Sequence, residues 1–277
     1  MKKLFIFSLT SLFLIACGEN VEKKASAKLQ EARVAFEEGN FSEAKLQIDS
    51  IKILYPKAFE ARKEGIRLMQ QVELKEQLQT RAYLEDSLKK KEEAFNAIKG
   101  RFVLEKDAEY QEIGNYLYPT QTIEKNLHRS FLRFQVNEKG EMSLTSIYCG
   151  AGNIHHHSVR VSVADGTFAE TPSSKDIYET TDLGEKIEKA DYKQGEDGNV
   201  MGFIYLNQDK NIKVEYLGDK KYTTSMLPND RKALAEIYEL AQILASMEQI
   251  KNELKEADLK INFVKRKIEE KEDPLSR

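Results

Sequence analysis

The sequence predicts an α+β protein in which an antiparallel β-domain is inserted between two long helices. Three observations predict it. Near the C-terminus Met247, Ile250, Leu254, Ala257, Ile261, Val264 and Ile268 step 3-4-3-4-3-4, the seam of a coiled coil. In the first half Leu74, Leu78, Arg81, Glu85, Leu88, Glu92 and Phe95 follow the same spacing less regularly. Between these stretches the apolar period changes to two, as in Leu132-Phe134-Val136, Val159-Val161-Val163 and Ile212-Val214-Tyr216, which is the pattern of half-buried strands.

The chain opens on Lys2 and Lys3, followed by an apolar run over residues 4–16 that ends in Leu14-Ile15-Ala16-Cys17. Thirteen residues suit a secretory signal and fall short of the roughly 20 that a membrane-spanning helix needs. These residues resemble the lipobox signal of a Gram-negative bacterial lipoprotein. The resemblance implies that residues 1–16 are cleaved, that Cys17 becomes the first residue of the mature chain, and that its thiol and amino group carry acyl chains. One chain would bind a bilayer only reversibly, at about 0.8 kcal/mol per buried CH₂, whereas two or more anchor stably. The family's sorting rule reads Gly18, where aspartate would retain the protein at the inner membrane, as directing it to the outer membrane. Whether the protein faces the periplasm or the cell surface is left open, since Lys23 and Lys24 directly follow the acidic Glu19 and Glu22 and blur the surface-export signal they would make.

The next element, within residues 17–56, is a helical hairpin. The pattern is helical from Ser26, breaks at Gly39-Asn40 and stops at Tyr55-Pro56. Ala32, Phe36, Gly39, Phe41, Ala44, Leu54, Pro56 and Ala61 occur in the order used by a tetratricopeptide repeat, and the hairpin resembles one such unit. Small alanines allow the helices to approach and Gly39 allows the turn. Since about three repeats are needed for a free-standing solenoid, a single unit is expected to brace something else.

Residues 57–99 form the first long helix, with Gly100 placed for a left-handed C-terminal cap. Residues 228–271 form the second, started by Pro228-Asn229-Asp230, and residues 272–277 are a tail containing Pro274. The two are expected to pair antiparallel as a stalk. Setting Ile98 opposite Asp230 brings Leu88 to Leu240, Leu78 to Ile250 and Leu74 to Leu254, with Arg81 facing Met247.

Residues 100–227 are then an antiparallel β-domain, a sandwich or open barrel of seven to ten short strands. Asn137 to Gly140, Asp165-Gly166 and Asn207 to Asn211 are its expected hairpin turns. The composition excludes some functions. The chain is 32% charged with a net charge of −3, and loss of Lys2 and Lys3 with the signal makes the mature chain −5. It therefore has no basic footprint for nucleic acid. With Cys17 acylated, Cys149 has no thiol left to pair with inside the chain.

The only cluster of metal-binding residue types is Cys149, His155, His156 and His157. If His155 and His157 enter the strand of Val159 they share one face, with His156 on the other. With a Cys149 thiolate they would form a zinc or copper ligand set. An exposed strand edge with a structural cysteine explains the same residues, and no cofactor is the expectation. Gly195-Glu196-Asp197-Gly198-Asn199 lacks the alternating acids of a calcium loop and reads as a polar turn. No Gly-x-Ser-x-Gly elbow marks a nucleophile. The expected function is thus a lipid-anchored envelope protein that binds or scaffolds a protein or envelope polymer through its β-domain. The alternative is a metal-dependent or hydrolytic enzyme using the Cys149–His157 loop.

Overall fold

The computed structural model describes residues 12–272, with side chains described from residue 20 to residue 270. The side chains of Leu14, Ile15, Ala16 and Cys17, and the tail beyond Glu272, lie outside the described residues. Among the described residues five α-helices and two antiparallel sheets make an α+β fold with an antiparallel β-domain. Among the described residues no helix is long and apolar enough to cross a membrane. The chain forms two compact units. One comprises residues up to 86 together with those from 252 onward, and the other comprises residues 87–251.

In the first unit, helices α1 (Leu12–Glu37) and α2 (Phe41–Leu54) form a hairpin across a three-residue turn, and α3 (Phe59–Ile98) follows. Helix α1 reaches back well before Ser26, where the sequence pattern first became helical. Asn40 caps α2 by accepting a hydrogen bond from the Glu43 N–H at 3.2 Å, satisfying one of the donors that a helix start leaves open. The core consists mostly of small side chains at helical spacing, including Ala25, Ala32, Ala44 and Ala61, filled out by Ile48, Ile51, Leu68 and Val72. Alanines at these positions let backbones approach, and the larger residues supply roughly 1.5–3 kcal/mol each on full burial.

The last helix, α5 (Pro228–Glu272), starts at the Pro228 expected from the sequence and begins within the second unit. Its seam is turned inward as expected: Ala257, Ile261 and Val264 are buried in the first unit, and Met247 in the second. The facing register needs correction. Arg81 was placed opposite Met247, but its Nε reaches Asp258 at 2.9 Å, three helical turns further on. Helix α3 also turns a different face inward. Leu78, expected in its seam, is 42% exposed, while Leu84, which the pattern passed over, is buried.

In the second unit, strands β1 (Val103–Glu105), β2 (Asn115–Leu117), β3 (Phe131–Asn137), β4 (Met142–Gly150), β5 (Ser158–Ser162), β6 (Phe168–Glu170), β7 (Asp176–Asp182), β8 (Glu185–Lys193), β9 (Lys213–Leu217) and β10 (Lys221–Ser225) form two sheets. Six strands run in the order β1-β2-β3-β4-β8-β7 and four in the order β10-β9-β5-β6. Both sheets turn a face to one core. Phe134 and Leu144 come from the larger sheet, Val161 and Tyr216 from the smaller, and Leu234 and Ile237 of α5 join them. The expected turns at Asn137–Gly140 and Asp165-Gly166 join β3 to β4 and β5 to β6. Gly140 has φ +88°, and a Cβ there would stand 2.2 Å from the Ala245 N atom, so the turn lies directly against α5.

The remaining turns differ from expectation. Asn207 to Asn211 does not close a hairpin; it leads from a short helix, α4 (Val200–Leu206), into β9. The polar segment before α4 starts that helix, with the buried Asp197 accepting the Met201 N–H at 2.9 Å. Between β7 and β8 lies a two-residue turn, Leu183-Gly184, with positive φ at both positions (48° and 86°) and Asp182 paired with Glu185. That is the backbone of a type I′ turn, which asparagine or glycine would normally announce.

Candidate functional site

The segment between β4 and β5 crosses from the larger sheet to the smaller and carries the three consecutive histidines. The condition under which His155 and His157 share a strand face is not met: β5 begins only at Ser158, and His155 has φ 51°, outside the range of a strand. The alternation survives in exposure: His155 and His157 face solvent and His156 is fully buried.

Glu188 on β8 holds this segment. It sits opposite Tyr148 on β4 and opposite Glu179 on β7, on the core side of the sheet. Its Oε1 accepts the N–H groups of Ile154 (2.8 Å) and His155 (3.0 Å). Its Oε2 accepts the His156 N–H (2.8 Å) and lies 3.1 Å from His156 Nδ1. Four hydrogen-bond sites of one carboxylate are thereby filled by a single turn of backbone and its imidazole. The other ring nitrogen, Nε2, lies 2.9 Å from Ser146 Oγ, which also lies 3.3 Å from the Ala190 carbonyl. Ser146, His156 and Glu188 are each 0% exposed.

The surroundings set the charge states. Burial pushes the His156 pKa below its ordinary value despite the carboxylate beside it. Burial would raise Glu188, but the N–H groups of His156, Ile154 and His155 outweigh it and hold the carboxyl below its ordinary value. A neutral imidazole donating from Nδ1 to an ionised Glu188 and accepting from Ser146 at Nε2 satisfies every group. Aromatic rings enclose it, with the Tyr216 ring at 5.4 Å and edge-on to His156. Burial, with the Asp230 charge adding to it, raises the Tyr216 hydroxyl well above its usual range.

Serine, histidine and glutamate in this order reproduce the contacts of a nucleophile, base and orienting acid. Here the serine hydroxyl is shut away from solvent. The arrangement acts as a polar clamp joining β4, β8 and the crossover.

The residues singled out in the sequence are not brought together as one ligand set. The Cys149 thiol lies on the opposite side of β4 from Ser146 and bonds to Glu185; burial and that carboxylate push its pKa up, away from the reactive thiolate. Glu185 also meets His128 Nδ1. His157 is exposed, and its backbone accepts the Tyr192 hydroxyl at 2.9 Å. Of the expected set only His155 belongs to the metal-capable group found among the described residues, and its companions are Glu179 and Glu188. Side-chain hydrogen bonding to Glu179, at 2.9 Å from Nδ1, raises the His155 pKa.

Glu179, Glu188 and Ser146 went unread in the sequence. One signal was present for Glu188. It shares the parity of Ala190 and Tyr192, so reading those two as the core face of a strand would have placed a charged residue in the interior.

A second buried network stands at the start of α5. Asp230, 2% exposed, accepts Gln121 Nε2 at 3.0 Å and pairs with Arg129, while Gln121 Oε1 accepts the Phe134 N–H at 2.9 Å. Burial raises the Asp230 pKa against the pull of Arg129. The network occupies the side of β3 left unpaired beyond the end of β2.

A groove of about 790 Å³ opens on the outer side of the larger sheet, lined by Gln135, Ser143, Asp191 and Lys193 from three neighbouring strands and by the segment Pro172–Asp176. No known protein family, curated protein or solved structure matches the chain.

Proposed function

We propose that this chain is a lipid-anchored protein of the bacterial outer membrane, held through acyl chains on Cys17, whose β-domain binds or scaffolds a protein or an envelope polymer. The lipobox-like residues Leu14, Ile15, Ala16 and Cys17 support the anchor. The observation that carries the binding role is the complete burial of Ser146, His156 and Glu188, whose hydrogen bonds all close on the protein itself. The open groove beside Pro172–Asp176 is a surface on which a partner could rest.

The competing reading is a hydrolase in which Ser146 is the nucleophile, favoured by its 2.9 Å contact with His156 Nε2. A fluorophosphonate probe separates the two. The binding reading expects Ser146 to remain unlabelled in the folded protein. Labelling that disappears in Ser146→Ala while the circular dichroism spectrum is unchanged would establish the hydrolase instead. For the anchor, mass spectrometry of the mature N-terminus should find an acylated Cys17, and Cys17→Ala should leave the precursor unprocessed. Normal processing of that variant would refute the lipoprotein assignment. A photo-crosslinking residue at Ser174, beside the groove, should capture a partner in intact cells that the same residue at Lys139 does not.

A further inference from the structure

We propose that the free edge of β7 is the partner-binding element of the β-domain and takes up an extended, lysine- or arginine-bearing segment of another protein as an added strand. The inference rests on the binding role proposed above and narrows the partner to a protein. Each sheet has two edges, β1 and β7 in the larger and β10 and β6 in the smaller. Strands β1 and β6 have three residues each, and β10 has five and begins with Lys221. Strand β7 has seven, Asp176-Ile177-Tyr178-Glu179-Thr180-Thr181-Asp182, with neither the proline nor the lysine that commonly guards an edge. Its hairpin register shows which backbone groups are open. The two-residue turn Leu183-Gly184 is closed by Asp182 and Glu185, and such a closing pair exchanges ladder hydrogen bonds. Counting back in twos, Thr180 and Tyr178 also bond to β8, so Ile177, Glu179 and Thr181 turn their N–H and C=O groups outward. Ser174 Oγ, 3.0 Å from the Asp176 nitrogen and 2.8 Å from the Asp191 carbonyl oxygen, marks the side facing β8 and agrees with that count. Among the described residues the outward groups have no hydrogen-bond partner within the protein.

The side chains beside that edge define the partner's chemistry. Ile177 points to one face of the strand and Tyr178 to the other, and both are exposed, so an added strand gains apolar contact on either side. Asp176, Glu179 and Asp182 make the strand acidic throughout. Glu179 is met by His155, whereas Asp176 and Asp182 form no ion pair among the described residues. Opposite charges stabilise a strand pair and like charges destabilise it, which favours lysine or arginine in the incoming segment. The same rule disfavours a second copy of this chain. Antiparallel pairing about Glu179 would set that residue against its counterpart and Asp176 against Asp182, and parallel pairing in register would set each acid beside itself. In recognition by strand addition the backbone hydrogen bonds supply affinity and the flanking side chains supply specificity. The groove beside Pro172–Asp176 opens at the start of β7, so a segment longer than the strand would run on into it.

The test titrates the full chain, purified in detergent, into a fluorescein-labelled seven-residue peptide that alternates lysine with valine, and reads anisotropy. Saturable binding is expected, with none to a peptide carrying glutamate in place of lysine. N-methylation at alternate residues removes the donors along one edge and keeps every charge, and it should weaken binding at least tenfold. Thr181→Pro removes an outward N–H that the β7–β8 ladder does not use, so the hairpin should fold, as circular dichroism checks, while binding falls at least tenfold. Thr181→Ala keeps the N–H and should leave binding unchanged. No saturable binding, or binding indifferent to both N-methylation and Thr181→Pro, would overturn the proposal. Dimerisation in sedimentation experiments that is lost in Thr181→Pro would make a second copy the occupant and overturn it too. If the crosslinker at Ser174 captures its partner equally well in the Thr181→Pro protein, the β7 edge is refuted and the binding role stands; no capture in either protein would sink both.

Discussion

The helical unit buries alanines at helical spacing, such as Ala25, Ala32 and Ala44, each 0% exposed, and Gln70 is its buried polar side chain among the described residues. The β unit encloses Gln121, Ser146, His156, Glu188 and Asp230, all at 5% exposure or less. In the first unit stability follows from size and shape, which many side chains can approximate. In the second it also depends on directional bonds whose partners have no substitutes, because an unpaired buried polar group costs the full price of its desolvation. The β unit should therefore respond more sharply to substitution, and it alone should respond strongly to acid.

The largest effect is expected at Gly140. An alanine there would have to adopt φ +88° and place its Cβ 2.2 Å from the Ala245 backbone nitrogen, which cannot move without shifting α5. Gly140→Ala should destabilise the β unit by about 4 kcal/mol or more, a magnitude reserved for combined strain and backbone overlap. Urea unfolding followed at the β-unit tyrosines measures it. A loss below 1 kcal/mol would mean that the turn can lift off α5.

Glu188→Gln comes next. The amide presents a donor to N–H groups that need an acceptor, and a loss of about 3 kcal/mol follows from breaking a buried charged network. The wild-type pH dependence has the same origin. Because the folded pKa of His156 lies below 6.5, the unfolded chain takes up that proton first, and stability falls as pH drops through 6.5 toward the folded value. Glu188, held below 4.5, contributes stability that is present above 4.5 and lost below it. His155 runs the other way, contributing below 6.5 and losing that contribution as pH rises through its raised folded value, but its side chain is exposed and the effect is screened. Hydrogen exchange should show the Ile154 and His156 amides losing protection between pH 6.5 and 4 while α2 amides keep theirs. Equal loss in both units would erase the contrast between them.

In the helical unit Ala44→Leu should cost about 2 kcal/mol through overpacking, without altering the pH profile. Thermal melts at two pH values test both parts of that statement. Asn40→Ala removes the α2 cap and should cost about 1 kcal/mol, read as faster exchange in the first turn. The smallest effect is a gain. Leu183 is 85% exposed at positive φ, so Leu183→Asn should stabilise the β7–β8 hairpin by roughly 0.5–1 kcal/mol. A loss of stability there would mean that the leucine has a role its surroundings do not reveal.

The same contrast explains which parts of the molecule could be read from sequence. Period and punctuation are local, so the hairpin break at Gly39-Asn40, the stop at Pro56, the start at Pro228, the inward seam of α5 and the turns at Gly140 and Asp165-Gly166 were all legible. The β7–β8 hairpin was not, because its turn carries Leu183 where asparagine would have marked it and its strands are mostly polar. Helix α4 was missed because seven residues are too few to establish a period. The register of α3 failed because a stripe containing Arg81 and Glu85 leaves two adjacent faces almost equally apolar.

The sequence by itself determined an α+β class, the succession of helical hairpin, long helix, β-domain and long helix, and the residue types from which a metal or polar site could be made, since each depends on neighbours along the chain. Only the tertiary structure decided that Glu188 and not Cys149 holds His155 and His156, that His156 is buried while His155 meets Glu179, and that Arg81 reaches Asp258. Those pairings join residues 24 to 177 positions apart. Hydrogen bonds select partners by position and direction within an angstrom or so, and that information exists only once the sheets have closed.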